Sequence, residues 1–189
     1  SLFPDTYYFT LGDTRKSIVD RMVITMDKIS NEVWKLRSVD NILKNIDEMI
    51  ILASIVEKET GLQEERKLIA GAFVNRLKMG MRLQSDPTVI YGLFKDGLVI
   101  DSIITKSDLK SATLWNTYVI KGLPPTAIAN PGKESLEAAV NPSDTTALYF
   151  VANGKGGHSF ADNLESHNEN VKKWRSYLKC VDEIECNEK

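Results

Sequence analysis

Cysteine is almost absent from this chain. Its two cysteines, Cys180 and Cys186, lie six residues apart near the C-terminus. That is too few for the disulfide framework of a small secreted domain. They read as free thiols in a frayed C-terminal tail, residues 179–189, with one small local disulfide as the alternative. Histidine is equally sparse. His158 and His167, with Asp162 or Glu165 between them, do not have the i, i+4 spacing of a helical ligand pair. No metal site and no cofactor is therefore expected, and His167, on an apolar stripe, reads as a packed side chain. An excess of charge of one sign is missing too. The chain carries 24 Lys and Arg against 26 Asp and Glu, a net charge of −2, so nothing favours nucleic acid or an anionic membrane as partner. The longest apolar run, Met49 to Ala53, is far too short to span a bilayer. No signal peptide is visible, because Ser1 opens directly on Leu-Phe-Pro-Asp-Thr-Tyr-Tyr. That start reads as the middle of a longer chain from which a targeting or anchoring segment has been cut. Two familiar motifs are also lacking. There is no G-x-S-x-G elbow, and Gly154-Lys155-Gly156-Gly157 leads into a strand rather than the helix a phosphate loop requires.

What remains is an ordinary globular composition, 42% hydrophobic and 26% charged over 189 residues, enough chain for one domain with a real core. An amphipathic helix begins at Asp13 or Thr14 and turns Ile18, Met22, Met26, Ile29, Val33 and Leu36 to one side. A second starts near Asn45 or Asp47, with Gly61 placed to end it. A third, Gln63 to Lys78, buries Leu68, Ile69, Ala72, Phe73 and Leu77, with Asn75 and Arg76 flanking that face and Gly80 stopping it. Ser85 or Asp86 can then cap a helix that has Pro87 in its first turn. Val99–Ile104 is a candidate strand and Ser107–Lys110 a helical turn. Pro and Gly between Trp115 and Gly132 predict an extended loop, and Glu134 to Val140 a short helix. Ala147–Ala152 is the clearest strand, returning through His158-Ser159-Phe160 after a Gly-rich turn. A last helix is expected over Leu164 to Leu178. The fold class is α+β: N-terminal helices forming the core, then loops, a small antiparallel sheet and a C-terminal helix.

The second helix is the unusual one. Met49, Ile50, Ile51, Leu52, Ala53, Ile55 and Val56 are apolar all round, the mark of a buried helix. Glu57, Lys58 and Glu59 follow at once. A carboxylate there is costly unless it is paired, hydrogen-bonded or used. It is either a catalytic acid or part of a charged last turn entering water. Positions i and i+2 point about 200° apart, so only one of Glu57 and Glu59 can face a given cleft. Glu59 shares a stripe with Leu52, Ile55 and Val56, and Glu57 one with Ile50, Ala53 and Ser54. Either stripe would raise a carboxyl pKa, and periodicity does not choose. The loops beyond are rich in Asn, Gln, Thr, Tyr and Trp, the amides and flat faces that line carbohydrate clefts.

The segments LFPDTY, ASIVEKET, FVNRL followed by GMRLQSDPTVIYG, NTY, GLPP, NPG, YFVANGKGGHSF and SHN, in this order, closely resemble the MltG/YceG family of endolytic murein transglycosylases. The resemblance covers Leu2 to about Tyr177, so residues 1–178 are taken as the catalytic domain, without the family's membrane anchor and LysM-like part. It implies Glu59 as the catalytic acid and Gln84, Ser85, Asp86, Thr88, Asn116, Tyr118, Asn130 and His158 as substrate-binding. It implies cleavage of the bond between N-acetylmuramic acid and N-acetylglucosamine inside glycan strands, with a 1,6-anhydro end, terminating nascent strands. Peptidoglycan strands are the implied substrate and peptidoglycan synthases or the elongation machinery the implied partners, at the extracytoplasmic face of the inner membrane. Alternatives are a muramidase that uses water with Asp86 as second carboxyl, or a glycan-binding module without activity. Asp86 otherwise reads as the cap before Pro87. Two positions depart from the family pattern. Thr113-Leu114-Trp115 stands where the family has Ser-Pro-Tyr before NTY, and Thr126 where it has Gly after GLPP.

Overall fold

The structure is a computed structural model and describes residues 1–97 and 104–187, the last six by backbone alone. Helix α1 spans Arg15–Lys35. Thr14 caps it by accepting from the Ser17 N–H, and the Ser17 hydroxyl accepts from the Thr14 N–H, a reciprocal capping box. Met26, Ser30 and Val33 are its buried residues. Leu36, expected on that face, is instead the C-cap residue and 66% exposed, because the helix stops one residue short of it.

Helix α2, Ile46–Glu59, is the centre of the molecule. Asn45 caps it through the Glu48 N–H, and Met49 and every residue from Leu52 to Val56 are buried. It touches α1, α3 (Gln63–Lys78), α4 (Asp86–Lys95) and α5 (Lys133–Val140), which explains why no side of it is polar. Its C-terminus differs from expectation. Gly61 does not adopt a left-handed conformation; Thr60 turns the chain straight into an extended one at φ −145°, and its hydroxyl accepts from the Leu62 N–H. The helix therefore ends with Glu59 aimed at neighbouring loops rather than curled back by a glycine cap.

Gly80, at φ 66°, ends α3 in the left-handed conformation expected of a C′ glycine. Gly71 in the same helix lies against the main chain of the loop after α5, where a Cβ would come within 2.7 Å of the Ser143 carbonyl oxygen. A 3-10 turn covers Asp108–Lys110, within the expected helical turn. The candidate strand at Val99–Ile104 falls almost wholly outside the described residues. β1 (Tyr149–Ala152) and β2 (His158–Ala161) pair antiparallel, with Phe150 opposite Phe160 and Ala152 opposite His158. Phe73 of α3 meets Phe150 edge to face at 5.5 Å and joins this hairpin to the helical core. Helix α6 packs on both strands and runs over Leu164–Asn187, so the segment expected as a frayed tail from residue 179 is helical; Cys180 in it is a free, exposed thiol. The α+β architecture is as the sequence predicts.

Candidate active site

Glu59 and Glu57 leave the same helical turn in opposite directions and meet different partners. Glu57 accepts hydrogen bonds from the Gly132 N–H at 3.0 Å and the Ser135 hydroxyl at 2.6 Å, both at the N-terminus of α5. Gly132, the N-cap residue of that helix, has no side chain to cap it, so Glu57 supplies the missing acceptor from another helix. It is neither a cleft acid nor a charge entering water.

Glu59 faces a cleft of about 240 Å³ lined by Arg76, Gln84, Asp86, Tyr118, Phe150, Val151, Ala152 and His158. The Ser85 hydroxyl donates to its Oε1 at 2.5 Å. Burial pushes the Glu59 pKa above the usual carboxylate value, more than the Ser85 hydrogen bond lowers it, and the neighbouring Asp86 charge pushes the same way. With Oε1 engaged as an acceptor, a proton on this carboxyl is left to Oε2.

Two threonines assemble the wall that holds Ser85. The Thr117 carbonyl accepts from the Gln84 N–H and its hydroxyl from the Ser85 N–H, while the Thr88 and Thr117 hydroxyls bond to each other at 2.8 Å. Gln84 is the one non-glycine residue with positive φ among those described, at 50°, and this left-handed bend turns Ser85 inward. Tyr118 donates its phenolic proton to Asp86 Oδ1 at 2.6 Å, and burial together with that bond raises its pKa. Asp86 therefore faces the cleft rather than capping α4, and Ser85, the N-cap residue, makes no cap bond because its hydroxyl is on Glu59.

Of the residues expected to bind substrate, Gln84, Asp86, Tyr118 and His158 line this cleft. Ser85 is 2% exposed and reaches it only through Glu59. Thr88 and Asn116 are fully buried and serve the scaffold. The Asn116 amide donates to the Leu109 and Ser111 carbonyls, and its oxygen accepts from the Tyr118 N–H. Asn130 lies elsewhere, where its side-chain oxygen accepts from the Leu2 N–H. The Asn130–Gly132 loop thus serves the N-terminus and Glu57, not the cleft. His167 stacks on Tyr149 at 5.1 Å, the packed role expected of it.

Sequence reasoning missed Arg76. It is 6% exposed, donates from Nε to the Leu148 carbonyl and from Nη1 to the Leu83 carbonyl, and lies over the Tyr149 ring at 5.3 Å. The signal was available: a charge between the apolar run Ala72–Val74 and Leu77, beside the buried face of a helix, asks the same question as the carboxylates after Val56. Glu65 was also missed; it bonds His158 from the first turn of α3. The two departures from the family pattern prove to be partners, since the Trp115 indole donates to the Thr126 hydroxyl at 2.9 Å. Among the described residues, no three His, Cys, Asp or Glu side chains are grouped to hold a metal ion, and no helix is long and apolar enough to cross a membrane.

Residues 1–173 match the model of the YceG-like family. A protein of Bacillus subtilis (strain 168) named endolytic murein transglycosylase is 37% identical over 175 residues, 93% of this chain and 47% of that protein. One of the same name from Streptococcus pneumoniae serotype 2 is 34% identical over 174 residues, 90% of this chain and 31% of that one. A crystal structure of a putative YceG-like protein from Listeria monocytogenes superposes with a TM-score of 0.73 at 38% identity, over 89% of this chain and 53% of that one. The chain spans about half the length of these relatives, or less.

Proposed function

Because this chain belongs to the YceG-like family, we propose that it is an endolytic lytic transglycosylase that cuts peptidoglycan glycan strands at the bond between N-acetylmuramic acid and N-acetylglucosamine. The observation that carries this reading is the environment of Glu59: one carboxyl, with raised pKa, on the floor of an open polar cleft. Held by Ser85 at Oε1, Glu59 would deliver the proton on Oε2 to the glycosidic oxygen as the bond breaks. The carboxylate so formed would take the proton from the muramyl C6 hydroxyl, which attacks C1 of the same sugar and closes the 1,6-anhydro ring. The oxygen that leaves and the oxygen that attacks are thus served in turn by one residue.

A glycosidase that uses water ordinarily needs a second carboxyl, about 5 Å away when retaining and about 6.5–9.5 Å when inverting. An attacking hydroxyl within the substrate removes that need. Asp86 favours the second reading, a muramidase, because it does face the cleft. Its Oδ1 is already occupied by the Tyr118 phenol, which suits holding a sugar hydroxyl better than activating water. The product separates the two. Mass spectrometry of digested peptidoglycan is expected to find anhydromuramyl ends; reducing muramic acid ends, heavier by one water, would establish the muramidase, and no fragments at all a glycan-binding module.

The relatives' name further supports a place of action in the bacterial cell wall. We assign the extracytoplasmic face of the inner membrane, beside peptidoglycan synthases, as the setting in which such a cut would end nascent strands.

A further inference from the structure

His158 is held from two sides by one carboxylate. Glu65 Oε1 accepts from the His158 main-chain N–H at 2.7 Å, and Glu65 Oε2 lies 2.7 Å from Nδ1 of the ring. Burial raises the Glu65 pKa, but the hydrogen bonds from the His158 ring and main chain, attraction to that ring and the Thr60 hydroxyl together outweigh it and leave the carboxyl below its ordinary value, hence ionised. The neighbouring turn is shaped around this carboxylate. A Cβ at Gly157 would come within 2.5 Å of Glu65 Oε1, although the backbone of Gly157 is not left-handed and would otherwise admit a side chain. Phe150 and Phe160 stand edge-on to the imidazole at 5.5 and 6.4 Å and fix its plane. A carboxylate can only accept, so Nδ1 carries the proton. In the neutral ring Nε2 is then the nitrogen with the lone pair. It has no hydrogen-bond partner among the described residues, yet is not sealed from solvent, and the ring borders the Glu59 cleft.

We propose that Glu65 is a positioning residue which holds His158 in the Nδ1–H tautomer, so that Nε2 accepts a hydrogen bond from a sugar hydroxyl of the glycan lying across Glu59. This inference rests on the glycan-cleaving reading above. Glu65 never reaches the substrate; it acts through the ring. The other titratable and charged groups around the same space are Glu59 of α2, Arg76 of α3, Asp86 at the start of α4 and Tyr118 of the following loop. The Asp86 carboxylate is an acceptor too, whereas the Glu59 proton is reserved for the glycosidic oxygen, so hydroxyl recognition falls to Asp86 on one wall and His158 on the other.

Two isosteric variants test this. In His158→Asn the amide nitrogen takes the place of Nδ1 and keeps the Glu65 clasp, but nothing stands where Nε2 was. On soluble glycan strands KM is expected to rise about tenfold with kcat little changed, the loss of one hydrogen bond made equally before and during reaction. In Glu65→Gln the amide oxygen can still accept from the main-chain N–H, while its NH2 faces Nδ1 and drives the ring proton to Nε2. KM is expected to rise similarly. The chain has only two histidines, so nitrogen-15 NMR of the imidazoles reads the tautomer directly. Nε2 of His158 should be unprotonated in the parent chain and protonated in Glu65→Gln. In a Glu59→Gln background, which cannot turn over, a tetrasaccharide of alternating N-acetylglucosamine and N-acetylmuramic acid should shift the His158 Nε2 resonance. Unchanged KM in folded His158→Asn, or a tetrasaccharide that shifts Tyr118 but not Nε2, overturns the inference and leaves the glycan reading standing. If the parent chain releases no fragments and no cleft resonance moves, the reading itself falls, and this inference with it.

Discussion

Glu59→Gln probes the site most sharply, because it should abolish one property and improve another. Glutamine keeps the length of the side chain, and its oxygen can still accept from the Ser85 hydroxyl. It cannot deliver a proton. General acid catalysis is typically worth about 10²–10⁴-fold, and in the proposed mechanism the same group also serves as base, so the loss should reach about 10⁴-fold or more. Stability should move the other way. The folded-state pKa of Glu59 is raised above 4.5 by burial, so the folded chain holds this proton at pH values where the unfolded chain has released it. The contribution is fully present below pH 4.5 and is lost as pH rises through the folded pKa; above that, the native chain carries a buried charge. The variant carries none. The difference in unfolding free energy, Glu59→Gln minus parent, should therefore grow with pH above 4.5 and then level off. Each tenfold change in the acid constant adds about 1.4 kcal/mol to that plateau. Urea unfolding between pH 4 and 8, beside fragment release from purified peptidoglycan, measures both effects. A stability difference that does not change with pH would refute the buried-acid argument. Full activity in Glu59→Gln with none in Glu57→Gln would mean that the chemistry sits on the other face of the helix.

Glu57→Ala removes the acceptor for the Gly132 N–H and the Ser135 hydroxyl, leaving α5 without a cap; it should cost about 2 kcal/mol in urea unfolding and leave kcat nearly intact in the folded fraction. A loss of turnover without loss of stability would contradict that role. Ser85→Ala deletes a hydrogen bond that lowers the Glu59 pKa, so the limb on which activity falls with rising pH should move to higher pH, with kcat down about tenfold; a shift to lower pH is the result that cannot be reconciled. His167→Phe should keep the stacking on Tyr149. Burial, with the Arg76 charge, depresses the His167 pKa below 6.5, so the parent loses stability as pH falls below that value, and thermal melts of the variant should show less of this decline.

The helices and the hairpin were legible because each is set by a local code: Thr14 with Ser17, Asn45 with Glu48, and alternating side chains around a Gly-rich turn. What lay beyond reading was which polar residues serve the scaffold. Thr88, Asn116 and Tyr118 look alike in sequence, as polar or aromatic residues in a first helical turn or a loop. Two are sealed in and one is at the cleft, because Thr117 ties the loop of Asn116 to the first turn of α4 at hydroxyl distance. That tie joins residues 29 apart in the chain. No periodicity spans such a gap. The helix expected to end at Leu178 has a related cause, since Leu178 is already 40% exposed and nothing in the following residues breaks a helix.

The same reasoning explains why two glutamates in one turn have different fates. Seen from α2 alone they are equivalent, each at the end of an apolar stripe. The difference comes from elements 26 to 78 residues further along. On the Glu57 side stands the start of α5, whose unsatisfied N–H and a serine hydroxyl offer donors suited to an anion. On the Glu59 side one hydroxyl meets a carboxyl whose burial disfavours charge, and the nearest acid, Asp86, repels a second negative charge. An anchored carboxylate holds the helices together and is of no use as an acid. A carboxyl denied full solvation is a poor anchor but retains a proton to give. The fold thus divides two chemically identical groups into a structural anchor and the proposed proton donor by what it brings to each side of one helix.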